Sequence, residues 1–62
     1  MIKHNMFKRG VLIRNKKGLF IIDDMEDSYV FIRDVHYDKQ GVRYCGKRKV
    51  IGIKDLDNYR VV

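Results

Sequence analysis

An all-β fold of five short strands is predicted by three features of this sequence. Runs of β-branched and aromatic residues recur from Phe7 onward. The stretches between them are polar and tight, and two of them end in glycine: Asn15-Lys16-Lys17-Gly18 and Asp38-Lys39-Gln40-Gly41. No segment sustains a helical apolar period. With 62 residues the chain has room for one domain, 1–62, and for one small core. The expectation is therefore a single five-stranded barrel, closed on itself.

Each element has its own reason. The first strand is expected at 7–14, with Phe7, Val11 and Ile13 on one face. Asn15 opens a turn because its side chain can accept a hydrogen bond from the backbone two residues on, and Gly18 closes it at positive φ. The second strand, 19–24, contains the unbroken run Leu19-Phe20-Ile21-Ile22, which implies burial on both faces or an exposed apolar face. A polar turn at 25–27 leads to a third strand at 28–37. There Val30 and Ile32 share one face, and Tyr29, Phe31 and Val35 the other. The turn at 38–41 leads to a fourth strand from Val42 to Ile53, interrupted at Gly46 by a bulge or bend. Lys54-Asp55-Leu56-Asp57-Asn58 has one apolar residue between polar ones, the pattern of a single 3₁₀ turn, and 59–62 makes a short fifth strand.

In a core this small, most of Phe7, Phe20, Tyr29, Phe31 and Tyr59 are expected inside, while Tyr37 and Tyr44 flank a hairpin turn and are expected to be partly exposed. Cys45 is the only cysteine, so no internal disulfide can form; it reads as a small buried apolar residue in a reducing compartment. No apolar run approaches a membrane span, and Met1-Ile2-Lys3-His4-Asn5 lacks the apolar core of a signal peptide. A cytoplasmic protein with no membrane partner is expected.

Catalysis is not expected. A nucleophile needs a base and an orienting group. Ser28 is the only serine, there is no threonine, and Cys45 lies between Tyr44 and Gly46. The acidic stretch Asp23-Asp24-Met25-Glu26-Asp27 lacks the alternate carboxylates around a glycine that a calcium loop requires. It reads as a solvated turn paired with a nearby basic strand. His4, His36 and Cys45 do not have zinc-ligand spacing. Neither a metal nor a cofactor is expected.

Charge is the more informative property. The net charge is +6, and the pI is 9.7. Residues 1–22 carry Lys3, Lys8, Arg9, Arg14, Lys16 and Lys17 without an acid, and residues 43–54 carry Arg43, Lys47, Arg48, Lys49 and Lys54 without an acid. The acidic stretch separates the two blocks. A field of this sign attracts polyanions and speeds their capture. The candidate nucleic-acid-binding residues are Lys8, Arg9, Arg14, Lys16, Lys17, Phe31, Arg33, Tyr37, Arg43, Tyr44, Lys47, Arg48 and Lys49: cations for phosphates, rings for bases. A protein-interaction or regulatory module is the alternative, docking an acidic protein partner or pairing with a second copy as a homodimer. Small size without a catalytic constellation suits an accessory protein of a bacterium, phage or mobile element.

Two resemblances follow from particular residues. The segment Val50-Ile51-Gly52-Ile53-Lys54-Asp55-Leu56, leading to Tyr59, resembles the strand–3₁₀–strand ending of SH3-like barrels of the Tudor and KOW type. Residues 10–35 resemble a cold-shock domain, an OB-type barrel. Gly10-Val11 stands near the start, Lys17-Gly18-Leu19-Phe20-Ile21-Ile22 at the first nucleic-acid-binding strand and Tyr29-Val30-Phe31-Ile32-Arg33 at the second. That resemblance implies a platform that stacks single-stranded bases, with Phe31 as a stacking ring and Lys17 as its basic residue. Leu19, Phe20 and Ile21 depart from the family's pattern. The position of the 3₁₀ turn favours the SH3-like alternative.

Overall fold

Alternation along β3 (Tyr29–Tyr37) divides the molecule into two faces, and the computed structural model follows that division throughout. It describes residues 6–62, so the readings attached to Lys3 and His4 lie outside the described residues. Around β3 lie β1 (Leu12–Asn15), β2 (Gly18–Met25), β4 (Arg43–Gly52) and β5 (Arg60–Val61). The 3₁₀ helix Ile53–Asn58 joins β4 to β5. All pairings are antiparallel, in the order β4-β3-β2-β1-β5.

One face of the sheet is the core. Ile13, Phe20, Ile22, Val30 and Ile32 are all buried there. Phe7, Leu56 and Tyr59 cover them from outside the sheet, and Val11, Met25, Ile51, Ile53 and Val61 pack around the edge. Leu56 is the apolar residue of the 3₁₀ helix and is fully buried. The Tyr59 ring meets Phe20 edge-on at 5.6 Å. Burial and the charge of Asp55 push its hydroxyl above the usual value of 10, against the opposing charge of Lys49 and a hydrogen bond with Asn15.

The all-β, five-stranded architecture matches expectation, but the closed barrel does not form. β4 and β5 are the two edges and do not pair with each other. The reason is length. β5 has two residues and both pair with β1, as Arg14↔Arg60 and Ile13↔Val61. Leu56 and Tyr59 cover the inner face in place of barrel closure.

Local differences have equally direct causes. β1 begins at Leu12 rather than near Phe7, because a turn closed by Val11 N–H donating to the Lys8 carbonyl bends the chain, with Gly10 at φ +90°. Phe7 still reaches the core, but from the segment before that turn. Both Asx turns form as expected. Asn15 Oδ1 accepts from the Lys17 and Gly18 N–H groups at 2.8 and 3.1 Å, and Asp38 Oδ1 accepts from Gln40 and Val42 at 2.9 Å each. The Gly46 interruption is a bulge: between Arg33↔Arg48 and Val35↔Cys45, Gly46 and Lys47 together oppose Asp34. A second bulge puts Asp23 as the extra residue between Ile22↔Ile32 and Asp24↔Phe31.

Tyr29 and Phe31 do not join the core as expected; they lie on the opposite face, with Tyr29 43% exposed. Cys45 is exposed rather than buried, since it lies on the edge strand β4, on the face opposite the core.

Replacing Leu56 with Ala is expected to lower the unfolding free energy by about 2–5 kcal/mol, the usual range for a fully buried leucine. Urea unfolding followed by circular dichroism measures this, and a loss below about 0.5 kcal/mol would contradict Leu56's role as the cover of the inner face.

Candidate nucleic-acid interface

The outer face is uncovered by any other element of the described residues. Every second residue of β3 points to it: Tyr29, Phe31, Arg33, Val35 and Tyr37. Register adds the neighbours that share the face. Arg33 lies opposite Ile21 on β2 and Arg48 on β4; Val35 opposite Leu19 and Cys45; Tyr37 opposite Arg43. Leu19 lies opposite Arg14, which lies opposite Arg60. Thus Arg14, Phe31, Arg33, Tyr37, Arg43 and Arg48, six of the residues expected from sequence, are brought to one surface.

Its centre is a tied network. The bulge aims Asp23 at two arginines. Asp23 Oδ2 accepts from Arg48 Nε at 2.6 Å and from Nη2 at 2.5 Å, and Asp23 Oδ1 lies 3.3 Å from Arg33 Nε. Arg33 Nη1 also donates to the Gly46 carbonyl at 3.2 Å, so this one side chain ties the β2 bulge to the β4 bulge. Arg48 lies over the Phe31 ring, 4.8 Å from its centroid, and Tyr29 meets Phe31 edge-on at 5.4 Å. Partial burial pushes the Asp23 carboxyl up, but the hydrogen bond from Arg48 and the charges of both arginines outweigh it and hold the group below its usual value.

The remaining expected residues are dispersed. Lys49 lies on the core side, opposite Ile32, with its Nζ 3.3 Å from Asp34 Oδ1 and 5.5 Å from the Phe20 centroid. Lys47 sits in the β4 bulge. Tyr44 pairs with His36, on the opposite side from Arg43, and its hydroxyl donates to Asp38 Oδ2 at 3.2 Å. Lys8 and Arg9 occupy the turn before β1, whereas Lys16 and Lys17 occupy the turn after it, at the other end of the first hairpin.

The charge also has a direction along the strands. The 15–18 turn, the 38–42 turn and the start of β5 lie at one end, where Arg14, Lys16, Lys17, Lys39, Arg43 and Arg60 outnumber the acids Asp38 and Asp57. Asp24, Glu26 and Asp27 lie towards the other end, around the turn that joins β2 to β3, together with the cations Lys8 and Arg9. At the basic end the β3–β4 hairpin runs beyond β2, and residues 36–45 are all exposed. This gives the molecule its elongated dimensions, 38 × 19 × 18 Å.

Sequence reasoning missed Tyr29 and Arg60 as surface residues. The alternation with Val30 and Ile32 already placed Tyr29 away from the core, once only one face is covered. Nothing local marks Arg60; its place follows from β5 pairing with β1. Among the described residues, no group of three or more His, Cys, Asp or Glu is placed to hold a metal ion, and no helix is long and apolar enough to cross a membrane.

The two anchoring carboxylates make a small, acid-sensitive contribution to stability. Hydrogen bonds from Val42 first, and from Gln40, Tyr44 and Gly41, outweigh partial burial at Asp38 and hold it below the usual value, like Asp23. A depressed folded value contributes stability above the ordinary 3.8, and that contribution is lost as pH falls through the lower folded value. The thermal midpoint is expected to drop between about pH 5 and about pH 2, and to drop less in Asp23→Asn and Asp38→Asn. Equal pH profiles for all three proteins would contradict the assignment.

Comparison with protein-family models, with curated proteins and with solved structures found no match to this chain.

Proposed function

We propose that this chain binds single-stranded nucleic acid on the outer face of its sheet, largely without regard to sequence. The observation that carries the reading is the register: it sets Tyr29, Phe31 and Tyr37 among Arg14, Arg33, Arg43 and Arg48 on one uncovered surface. Exposed rings stack on bases of any identity, and cations neutralise the phosphates between them. The charge gradient supports it too, since a strand lying toward the 15–18 and 38–42 turns avoids Asp24, Glu26 and Asp27. Arg48, held over Phe31, offers a cation beside that ring for a base or a phosphate. Lys49 and Tyr44, turned from this face, stand outside the proposed surface. The order β4-β3-β2-β1-β5 with the 3₁₀ helix before β5 supports an SH3-like relationship over an OB one, which is a Greek key rather than this meander.

One observation favours a second reading. Leu12, Leu19, Ile21 and Val35 form an apolar band on the same face, and Val35 is buried although it lies outside the main core. An apolar band edged with arginine fits an acidic protein partner as well.

A fluorescent oligonucleotide titrated at about 50 mM and about 200 mM salt separates the two. Binding that falls steeply with salt is expected. Phe31→Ala is expected to weaken it roughly 5- to 150-fold, the equivalent of about 1–3 kcal/mol for one stacked base. Arg43→Ala is expected to flatten the salt slope by about one unit. Lys49→Ala is expected to change the slope much less. No binding at the lower salt, or equal losses from Lys49→Ala and Arg43→Ala, would overturn the reading.

A further inference from the structure

Like charges directly opposite one another across an antiparallel pair destabilise it. Arg14 and Arg60 stand in that position, as one of the two residue pairs joining β5 to β1. Both are exposed, and neither has an ion pair with any described residue. Elsewhere on the face the chain does supply counter-ions: Asp23 serves both Arg33 and Arg48. At the β1–β5 end no ion pair between described residues involves either arginine, although Asp57 lines the same groove.

The two arginines also line an open groove of about 730 Å³, together with Asn15, Lys16, Asp57 and Asn58. Lys16 and Lys17 line a hollow that adjoins it. The groove thus combines two forked guanidinium groups on facing strands with an ammonium group at the turn. A tetrahedral dianion or a phosphodiester presents acceptor oxygens in the spread that such forks match.

We propose that Arg14 and Arg60 form a phosphate clamp at the β1–β5 end of the outer face, with Lys16 as its third cation. Resting on the nucleic-acid reading, it takes a backbone phosphate of the bound strand and sets the end at which that strand is held. Bridging by the phosphate turns the repulsion between Arg14 and Arg60 into a binding contribution. β5 has two residues and two pairs to β1, so the clamp also fastens the shortest strand of the sheet when ligand is present.

The test has two arms. In the first, inorganic pyrophosphate is added to the full chain, and the arginine Nε–Hε resonances are followed by NMR. Arg14 and Arg60 are expected to shift together and more than Arg43, and Arg60→Gln is expected to abolish the Arg14 response. Equal shifts in Arg43, or none in either clamp residue, overturn the clamp. In the second arm the oligonucleotide titration is repeated with Arg60→Gln, Arg60→Lys and Arg14→Gln. Each Gln variant is expected to weaken binding roughly tenfold and to reduce the salt slope by about one unit, and Arg60→Lys, which keeps the charge without the fork, to fall between. Wild-type binding with unchanged Gln variants overturns the clamp and leaves the nucleic-acid reading standing. A pyrophosphate response without oligonucleotide binding supports the anion site and removes the nucleic-acid reading. Wild-type circular dichroism in each variant confirms that a loss of binding is not a loss of fold.

Discussion

The burial of one face of a five-stranded sheet under residues that do not belong to the sheet is the constraint from which the rest follows. Ile13, Phe20, Ile22, Val30 and Ile32 need an apolar lid, and Phe7, Leu56 and Tyr59 supply it. In a chain of 62 residues the surface buried is small, so each lid residue carries a large share of the stability. Because the lid satisfies the inner face, the sheet has no need to close, and β4 and β5 remain edges. No other element of the described residues covers the outer face, which carries rings, arginines and an apolar band in which Val35 is itself buried. The uncovered surface is thus a consequence of how the core is made.

Two bulges shape that surface. A bulge adds a residue to one strand, increases the local twist and re-aims the side chains around it. The β2 bulge turns Asp23 toward β3 and β4, and the β4 bulge leaves the Gly46 carbonyl for Arg33. The resulting Asp23–Arg33–Arg48 network holds two guanidinium groups in place in the middle of the face. Exposed ion pairs of this kind add little to stability. Their effect here is on geometry: Arg48 is held over the Phe31 ring, 4.8 Å from its centroid. Gly46 also has a packing role, because a Cβ added there would lie 3.3 Å from the Cβ of Asp34.

The acidic stretch reads differently in space than in sequence. Asp23 belongs to the face as a counter-ion, while Asp24, Glu26 and Asp27 mark the end away from the 15–18 and 38–42 turns. A gradient of this kind orients an approaching polyanion before contact is made. At the opposite end, no ion pair between described residues involves Arg14 or Arg60, and that is where the clamp is proposed.

The strand count, both Asx turns, the Gly46 bulge and the 3₁₀ segment around Leu56 were legible in the sequence, because each depends on local chemistry. Alternation, a side-chain acceptor at the first turn position and a lone apolar residue between polar ones act within a few residues. The inward placement of Val30 and Ile32 was legible for the same reason. Closure was not, because it depends on whether two strand edges far apart in the chain meet. Nor was the placement of Tyr29, Phe31 and Cys45, which depends on how many faces the chain covers. The Arg14–Arg60 pairing and the union of Asp23 with Arg33 and Arg48 were equally out of reach, since both arise from register between strands. Local backbone and side-chain preferences determined the elements; only the packing of one face against residues from the chain's two ends decided which side chains remain outside.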